Sequence, residues 1–202
     1  MNNQDKNTVE ANVYLPTVVE TTARGERESG VFSRLLKDRI VFIGSPITDE
    51  VANAVIAQLL FLESDAPGKE ISIYINSRGG DVAAGLAIYD TMQFINSDVS
   101  TLCLGQAHSI AALLLASGTK GRRFSLPHAR LLLHQPLAGF SGQAVDAEIQ
   151  TREILHIKDT LNQVVAKHTG KTAEDVAKDT DRELYLGPVE ALAYGLIDQV
   201  VE

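Results

Sequence analysis

Val99-Ser100-Thr101-Leu102-Cys103-Leu104-Gly105-Gln106-Ala107-His108-Ser109-Ile110-Ala111-Ala112-Leu113-Leu114-Leu115-Ala116 is the stretch that decides how this chain folds. Residues 99–104, β-branched or apolar apart from Ser100, predict a buried strand, and the unbroken apolar run at 110–116 predicts a buried helix. The junction falls on residues 105–109, where a glycine and polar side chains interrupt both patterns. A serine at such a junction is either a helix N-cap or a nucleophile raised at the end of a strand.

Outward from this stretch the pattern repeats. Residues 39–44 read as a strand, 49–62 as a helix, 71–76 as a strand and 82–95 as a helix, with further strands at 121–126 and 130–134. Such alternation predicts an α/β fold, a mainly parallel sheet with helices packed on it. The length of 202 residues suits one domain with a sizeable core. Residues 1–30 are polar and weakly patterned and read as a flexible arm, which leaves 31–202 as a single domain. Within it, Val145, Ile149, Ile154, Ile157, Leu161, Val164 and Val165 recur at roughly helical spacing, and Gly170 follows as a stop signal. A helix over 143–167 would be about 37 Å long, and it either wraps against the sheet or projects as an interface helix.

A serine hydroxyl is a poor nucleophile at neutral pH unless a base lies within hydrogen-bond reach and a third group fixes that base's tautomer. His134, in Leu131-Leu132-Leu133-His134-Gln135-Pro136, and the acidic cluster Asp179, Asp181 and Glu183 supply these chemical types in the order serine, histidine, acid. His134 taken alone reads first as a hydrogen-bonded core residue. Ser77-Arg78-Gly79-Gly80-Asp81, after the strand at 71–76, is either a tight turn or a backbone that approaches substrate closely and offers N–H donors to an oxyanion.

The formal charge of −8 argues against general nucleic-acid binding, which needs a basic stripe. No phosphate-cradling glycine loop stands between a strand and a helix, so ATP, if used, is hydrolysed by a partner. Cys103, the single cysteine, reads as a small buried hydrophobe. His128 reads as a structural hydrogen-bonding residue, His156 as a polar-face residue, and His168 as one stabilised by a helix C-terminus. None has a second ligand at metal spacing, so neither a metal nor a cofactor is expected in this chain. There is no basic-then-apolar leader, and no apolar run approaches the ~18 residues of a membrane span; a cytoplasmic protein with no membrane association is the expectation.

Several motifs together carry a resemblance: Ser33-Arg34-Leu35-Leu36-Lys37, Tyr74-Ile75-Asn76-Ser77, Ile88-Tyr89-Asp90-Thr91-Met92, Gly105-Gln106-Ala107, Leu126-Pro127-His128, His134-Gln135-Pro136, Lys167-His168-Thr169-Gly170 and Tyr194-Gly195-Leu196-Ile197-Asp198. From about Tyr14 to Val201 the chain resembles the proteolytic subunits of ATP-dependent Clp proteases. The resemblance implies a crotonase-like α/β fold and a serine endopeptidase in which Ser109 attacks, His134 carries the proton and Glu183 is the acid. The N–H groups of Gly80 and Ile110 would form the oxyanion hole. An extended substrate would pair with backbone near Gly80, Asp81 and Val82 and near Leu137 and Gly139. The resemblance also implies two stacked heptamers joined through the helix at 143–167, with Asp181 and Arg182 coupling ring stacking to the triad. A hexameric AAA+ unfoldase would thread unfolded proteins past an axial pore lined by residues 1–30.

Three departures mark this chain. Glu183 stands where the family usually has Asp, Arg78 where it has Pro before the glycine pair, and His108 with Ile110 where it has a small residue and Met. Losing the proline would loosen the turn, and Asp181 would be available as a substitute acid on the same side of an extended segment as Glu183. His108 reads either as a polar ring packed beside the serine or, with Arg78, as a group that occludes or recharges the cleft. These departures motivate a second reading, a weakly active paralogue working in mixed rings with a more typical subunit. A third is an acyl-CoA enzyme of the crotonase type.

Overall fold

The structure, a computed structural model, describes residues 16–22, 25–137, 139 and 143–202. Its contacts divide the chain into two compact units, residues 1–38 and 39–202. In the first, β1 (Thr17–Thr22) and β2 (Gly25–Gly30) pair antiparallel, Thr17 opposite Gly30 and Thr22 opposite Gly25. The helix α1 (Val31–Lys37) follows directly. Residues 17–22 and 25–30 therefore pair as strands where the sequence predicts a flexible arm over 1–30, and the first unit runs to Asp38. Val18, Val19 and the flanking threonines carry the strand preference, which the charged residues around them mask. Residues 1–15 of the expected arm lie outside the described residues.

The second unit begins with β3 (Ile40–Ile43), α2 (Asp49–Asp65), β4 (Ile71–Ser77), α3 (Val82–Phe94), β5 (Val99–His108) and α4 (Ile110–Ala116). It continues with β6 (Arg123–Ser125), β7 (Arg130–Leu133), α5 (Ala144–Thr169), α6 (Ala173–Asp179), β8 (Leu184–Leu186), α7 (Pro188–Tyr194) and β9 (Gln199–Val200). The mixed α/β architecture with a mainly parallel sheet is the one read from the sequence. Strands β3, β4, β5, β6 and β9 lie side by side in parallel, while β7 pairs in parallel with β5 and antiparallel with β8.

β5 is the strand the other elements are arranged around. Its residues 101–103 pair with β6, and its residues 106–108 pair with β7, so the sheet forks beside Leu104 and Gly105. This corrects the strand end expected at Leu104. Gly105 and Gln106 are weak strand formers, but β7 offers partners to backbone groups that would otherwise be left unpaired inside the protein. Across the sheet, β4 keeps pace through an irregularity in which its residues 75–77 stand against 103–107 of β5. Smaller boundary shifts follow from caps. α2 continues to Asp65, α5 ends at Thr169 with Gly170 at φ 79 as its left-handed cap, and β7 stops at Leu133, one residue before His134.

The core lies between the sheet and its helices. Val41, Ile43, Ile71, Ile73, Ile75 and Cys103 are buried from the strands, Leu59, Leu62 and Ile88 from α2 and α3, and every residue of α4 is buried. Gly85 lets α3 cross directly against α4, since a Cβ at that position would overlap Ile110 Cγ1. Burial pushes the Cys103 thiol up to about 11. No helix among the described residues is long and apolar enough to cross a membrane.

Arg39 closes α2 in place of a glycine cap. Its side chain is buried, its backbone sits at φ 63, and its guanidinium donates to the carbonyls of Leu62 at 2.9 Å, Ala66 at 3.4 Å, Lys69 at 2.8 Å and Glu70 at 3.0 Å. A cation at a helix C-terminus answers both the unpaired carbonyls and the dipole. Arg39→Ala is expected to lower the unfolding free energy by about 3 kcal/mol, read by urea denaturation.

His168, in the last turn of α5, differs from its sequence reading. The C-terminal dipole would favour the imidazolium, yet burial, with Lys167 and Arg123 adding to it, pushes the ring down to about 4. The neutral ring packs edge-on against Tyr89, centroids 5.7 Å apart, and shares a 3.3 Å hydrogen bond with its hydroxyl. The unfolded chain therefore binds a proton near pH 6.5 that the folded chain refuses until about 4. This contribution to stability is full above the unfolded value and is lost as pH falls through that window. The denaturation midpoint should drop between neutral pH and pH 4, and His168→Gln should lessen the drop.

Candidate active site

Ser109 turns the chain from β5 into α4 in a single residue. Its backbone lies at φ 56 and ψ −126, a conformation costing on the order of 1–3 kcal/mol in a residue with a Cβ. Two attachments hold it there: its N–H donates to the Leu132 carbonyl at 2.8 Å, and its own carbonyl accepts from Ala112 at 3.0 Å. The sequence predicts a loop over 105–109, and the structure replaces it with this one strained residue.

The glycine pair approaches from β4. A Cβ on Gly79, at φ 85, would stand 2.6 Å from the His108 carbonyl oxygen and 3.0 Å from Ser109 Cβ, and one on Gly80 would overlap the Ile47 carbonyl. The Ile47 N–H donates to the Gly79 carbonyl at 2.9 Å, and the Asp81 N–H donates to the Ile47 carbonyl at 2.8 Å. This bridge uses the groups flanking Gly80 and leaves the Gly80 N–H facing away from Ile47. The Ile110 N–H, first in α4, is one of the donors a helix cannot satisfy internally. Beside Arg78, Ser77 Oγ donates to the Ser45 carbonyl at 2.6 Å and accepts from the Gly79 N–H at 3.1 Å, which ties the turn to the loop before α2. Asp81 caps α3 by accepting from Ala84 at 2.9 Å.

Ser109, Ile110, Val82 and His134 line one small cavity, closed by Asn162 and Thr180. Gly80, Asp81 and Val82 meet Leu137 and Gly139 across a second, of about 410 Å³, backed by Ile154 and Ile157 of α5. The two segments expected to bind an extended substrate thus share one groove beside the serine.

His134 Nδ1 lies 2.7 Å from the Gln135 carbonyl, a contact that places the proton on Nδ1 and leaves Nε2 free to accept. Gln135 is itself braced: its N–H donates to Thr180, its Nε2 to the Asp181 carbonyl, and its Oε1 accepts from Lys158 of α5, each at 2.9 Å. Nothing in the sequence around Lys158 or Gln135 signals this brace. Among the described residues no hydrogen bond joins Ser109 Oγ to His134, and none joins His134 to Glu183. Glu183 is exposed, one residue before β8, and extending the Leu133–Leu184 pairing by one places it opposite His134. Asp181 departs from expectation. Thr180 caps α6 and the chain bends after it, so Asp181 is not in an extended run with Glu183. Its carboxylate instead pairs with Arg182 at 3.9 Å, both side chains exposed.

His108 packs edge-on against Tyr185, centroids 6.1 Å apart. Burial, then the charges of Arg78, His134 and Arg130, hold its pKa below the ordinary range against the opposing pull of Glu183, so the ring is neutral at pH 7. Among the described residues no cluster of three or more histidine, cysteine or acidic groups is arranged to hold a metal. His128 and His156 are exposed and away from these cavities.

A family model described as Clp protease matches residues 23–202. The chain belongs to the Clp protease family. It is accordingly a peptidase of the Clp type, and the crotonase-like fold implied by its motifs agrees with the forked sheet and its packed helices. Within this Clp protease fold, the strain at residue 109 makes its own test. Ser109→Gly should be more stable than Ser109→Ala by about 1 kcal/mol, measured by thermal or urea unfolding, because only glycine enters that backbone region without cost.

Proposed function

We propose that the chain is the proteolytic subunit of an ATP-dependent Clp protease, a serine endopeptidase in which Ser109, His134 and Glu183 form the triad. The observation that carries this is the strained Ser109, held by β7 and aimed into the cavity that His134 also lines, with the Gly80 and Ile110 N–H groups beside it. Ser109 Oγ attacks the peptide carbonyl while His134 Nε2 takes its proton, and the two amides receive the oxyanion. His134 then gives the proton to the leaving amine, and water releases the acyl group by the reverse path. An extended peptide lies in the groove between residues 80–82 and 137–139, pairing through its backbone.

The exposed apolar residues of α5 support the same reading. The first half of α5 leaves Val145, Ile149 and Leu155 more than half exposed, an apolar stripe suited to burial against a second ring of the same chain. Stacking would press on Lys158, Gln135 and the bend at Asp181 and Arg182, swing His134 Nδ1 from the Gln135 carbonyl to Glu183, and connect the triad. ATP hydrolysis belongs to a hexameric unfoldase that delivers unfolded chains, with the N-terminal segment at the axial pore. The open Ser109–His134–Glu183 chain, together with Arg78 and His108, also favours a second reading: a weakly active subunit that works in mixed rings beside a more typical one.

A fluorophosphonate should label Ser109, and the assembled protein should cleave short fluorogenic peptides. Glu183→Gln should lower kcat by about 10³-fold or more while leaving the fold intact, and Arg182→Ala should reduce both rate and assembly beyond single rings. Intact rings without labelling, activated by mixing with a second subunit type, would move the assignment to the mixed-ring reading. Turnover of an acyl-CoA thioester without peptide cleavage would overturn the peptidase proposal.

A further inference from the structure

The pairing of β5, β7 and β8 places a second imidazole on the face of the sheet that carries the proposed triad. His108 stands opposite Leu132, and Leu132 stands opposite Tyr185. Paired residues in neighbouring strands project to the same side, as do residues two apart in one strand. His134 and Glu183 therefore share the face of His108, one row further along. The ring of His108 is held by Tyr185, yet its Nε2 is buried with no hydrogen-bond partner, where buried polar atoms are almost always paired. Glu183, on the same face, makes no hydrogen bond or ion pair with any described residue. An imidazole nitrogen without a partner and a carboxylate without one thus stand on the same face of the sheet.

We infer that His108 is a positioning residue for Glu183, its Nε2–H donating to the carboxylate so that the acid is held between two imidazoles, His134 on one side and His108 on the other. The inference rests on the reading of Glu183 as the triad acid. It accounts for two departures at once. A glutamate carries one more rotatable bond than an aspartate, and a second donor removes the freedom that bond adds. The groups facing His108 are compatible with this role. Burial first, then Arg78 from the turn after β4, His134 just past the end of β7 and Arg130 within it hold the ring's pKa down, Glu183 alone opposes them, and Tyr185 contributes an aromatic edge. A neutral ring with its proton on Nε2 donates to the carboxylate without neutralising it, leaving the negative charge for the His134 imidazolium.

The test compares the assembled parent, His108→Leu, Glu183→Asp and the double variant on a fluorogenic peptide. His108→Leu should lower kcat about tenfold or more at unchanged KM, the size expected for one hydrogen bond to a charged group. In the Glu183→Asp background the same change should do little, since the shorter acid reaches one imidazole only. His108→Gln, whose amide N–H has similar reach, should restore most of the rate. Equal losses in both backgrounds, or no rescue by glutamine, would show His108 to be packing alone and overturn the inference. If the parent neither labels at Ser109 nor cleaves peptide, the peptidase reading fails separately. The contact is then read by histidine-labelled NMR of the Ser109→Ala protein, where Glu183→Gln must shift the His108 ring signals and their titration; unchanged signals overturn it.

Discussion

The 2.8 Å hydrogen bond from the Ser109 N–H to the Leu132 carbonyl continues the β5–β7 ladder by one rung, and the site depends on it. It pins the serine in a backbone conformation the residue would not choose, with a fully buried helix locked behind it. Because α4 cannot slide without exposing its apolar residues, the strain cannot relax in that direction. Because β7 ends one residue before His134, the same ladder also sets where the imidazole begins. Serine and histidine, distant along the chain, are thus referenced to each other through a few backbone pairs and not through their side chains.

The fork in the sheet makes that ladder possible. Were β5 to pair with β6 along its whole length, no strand would be free to carry His134 past the serine. The glycine turn reaches the same point from the opposite side, where Ile47 and Ser77 fix it by hydrogen bonds. Two rigid backbones converge on Ser109, and only the acid is left without a fixed partner. The mobile part of the proposed chemistry is therefore concentrated in the residues after α6, which are joined to α5 through Gln135 and Lys158.

The alternation of strands and helices in residues 39–202 was legible because each element carries its own signal, in apolar runs and in caps such as Thr48 and Asp81. The continuation of β5 through Gly105 and Gln106 was not, since it depends on a partner strand about 25 residues away and tertiary pairing overrides a weak local preference. The pairing of 17–22 with 25–30 was hidden by its polar composition. At the site, Ser109, His134 and the glycine pair were readable as chemical types in a recognisable order. Their hydrogen bonds were not: that His134 would face the Gln135 carbonyl, that Ser77 would tie down the glycine turn, and that a bend at Thr180 would turn Asp181 out of line are outcomes of packing that no local pattern encodes.

The single thiol of Cys103 lies inside the sheet with burial holding it protonated, and its reactivity is correspondingly suppressed. For alkylating dyes and spin labels the unmodified chain behaves as if it contained no cysteine. One introduced at any exposed position becomes the sole attachment point, so movements along α5 can be followed spectroscopically without first rebuilding the core.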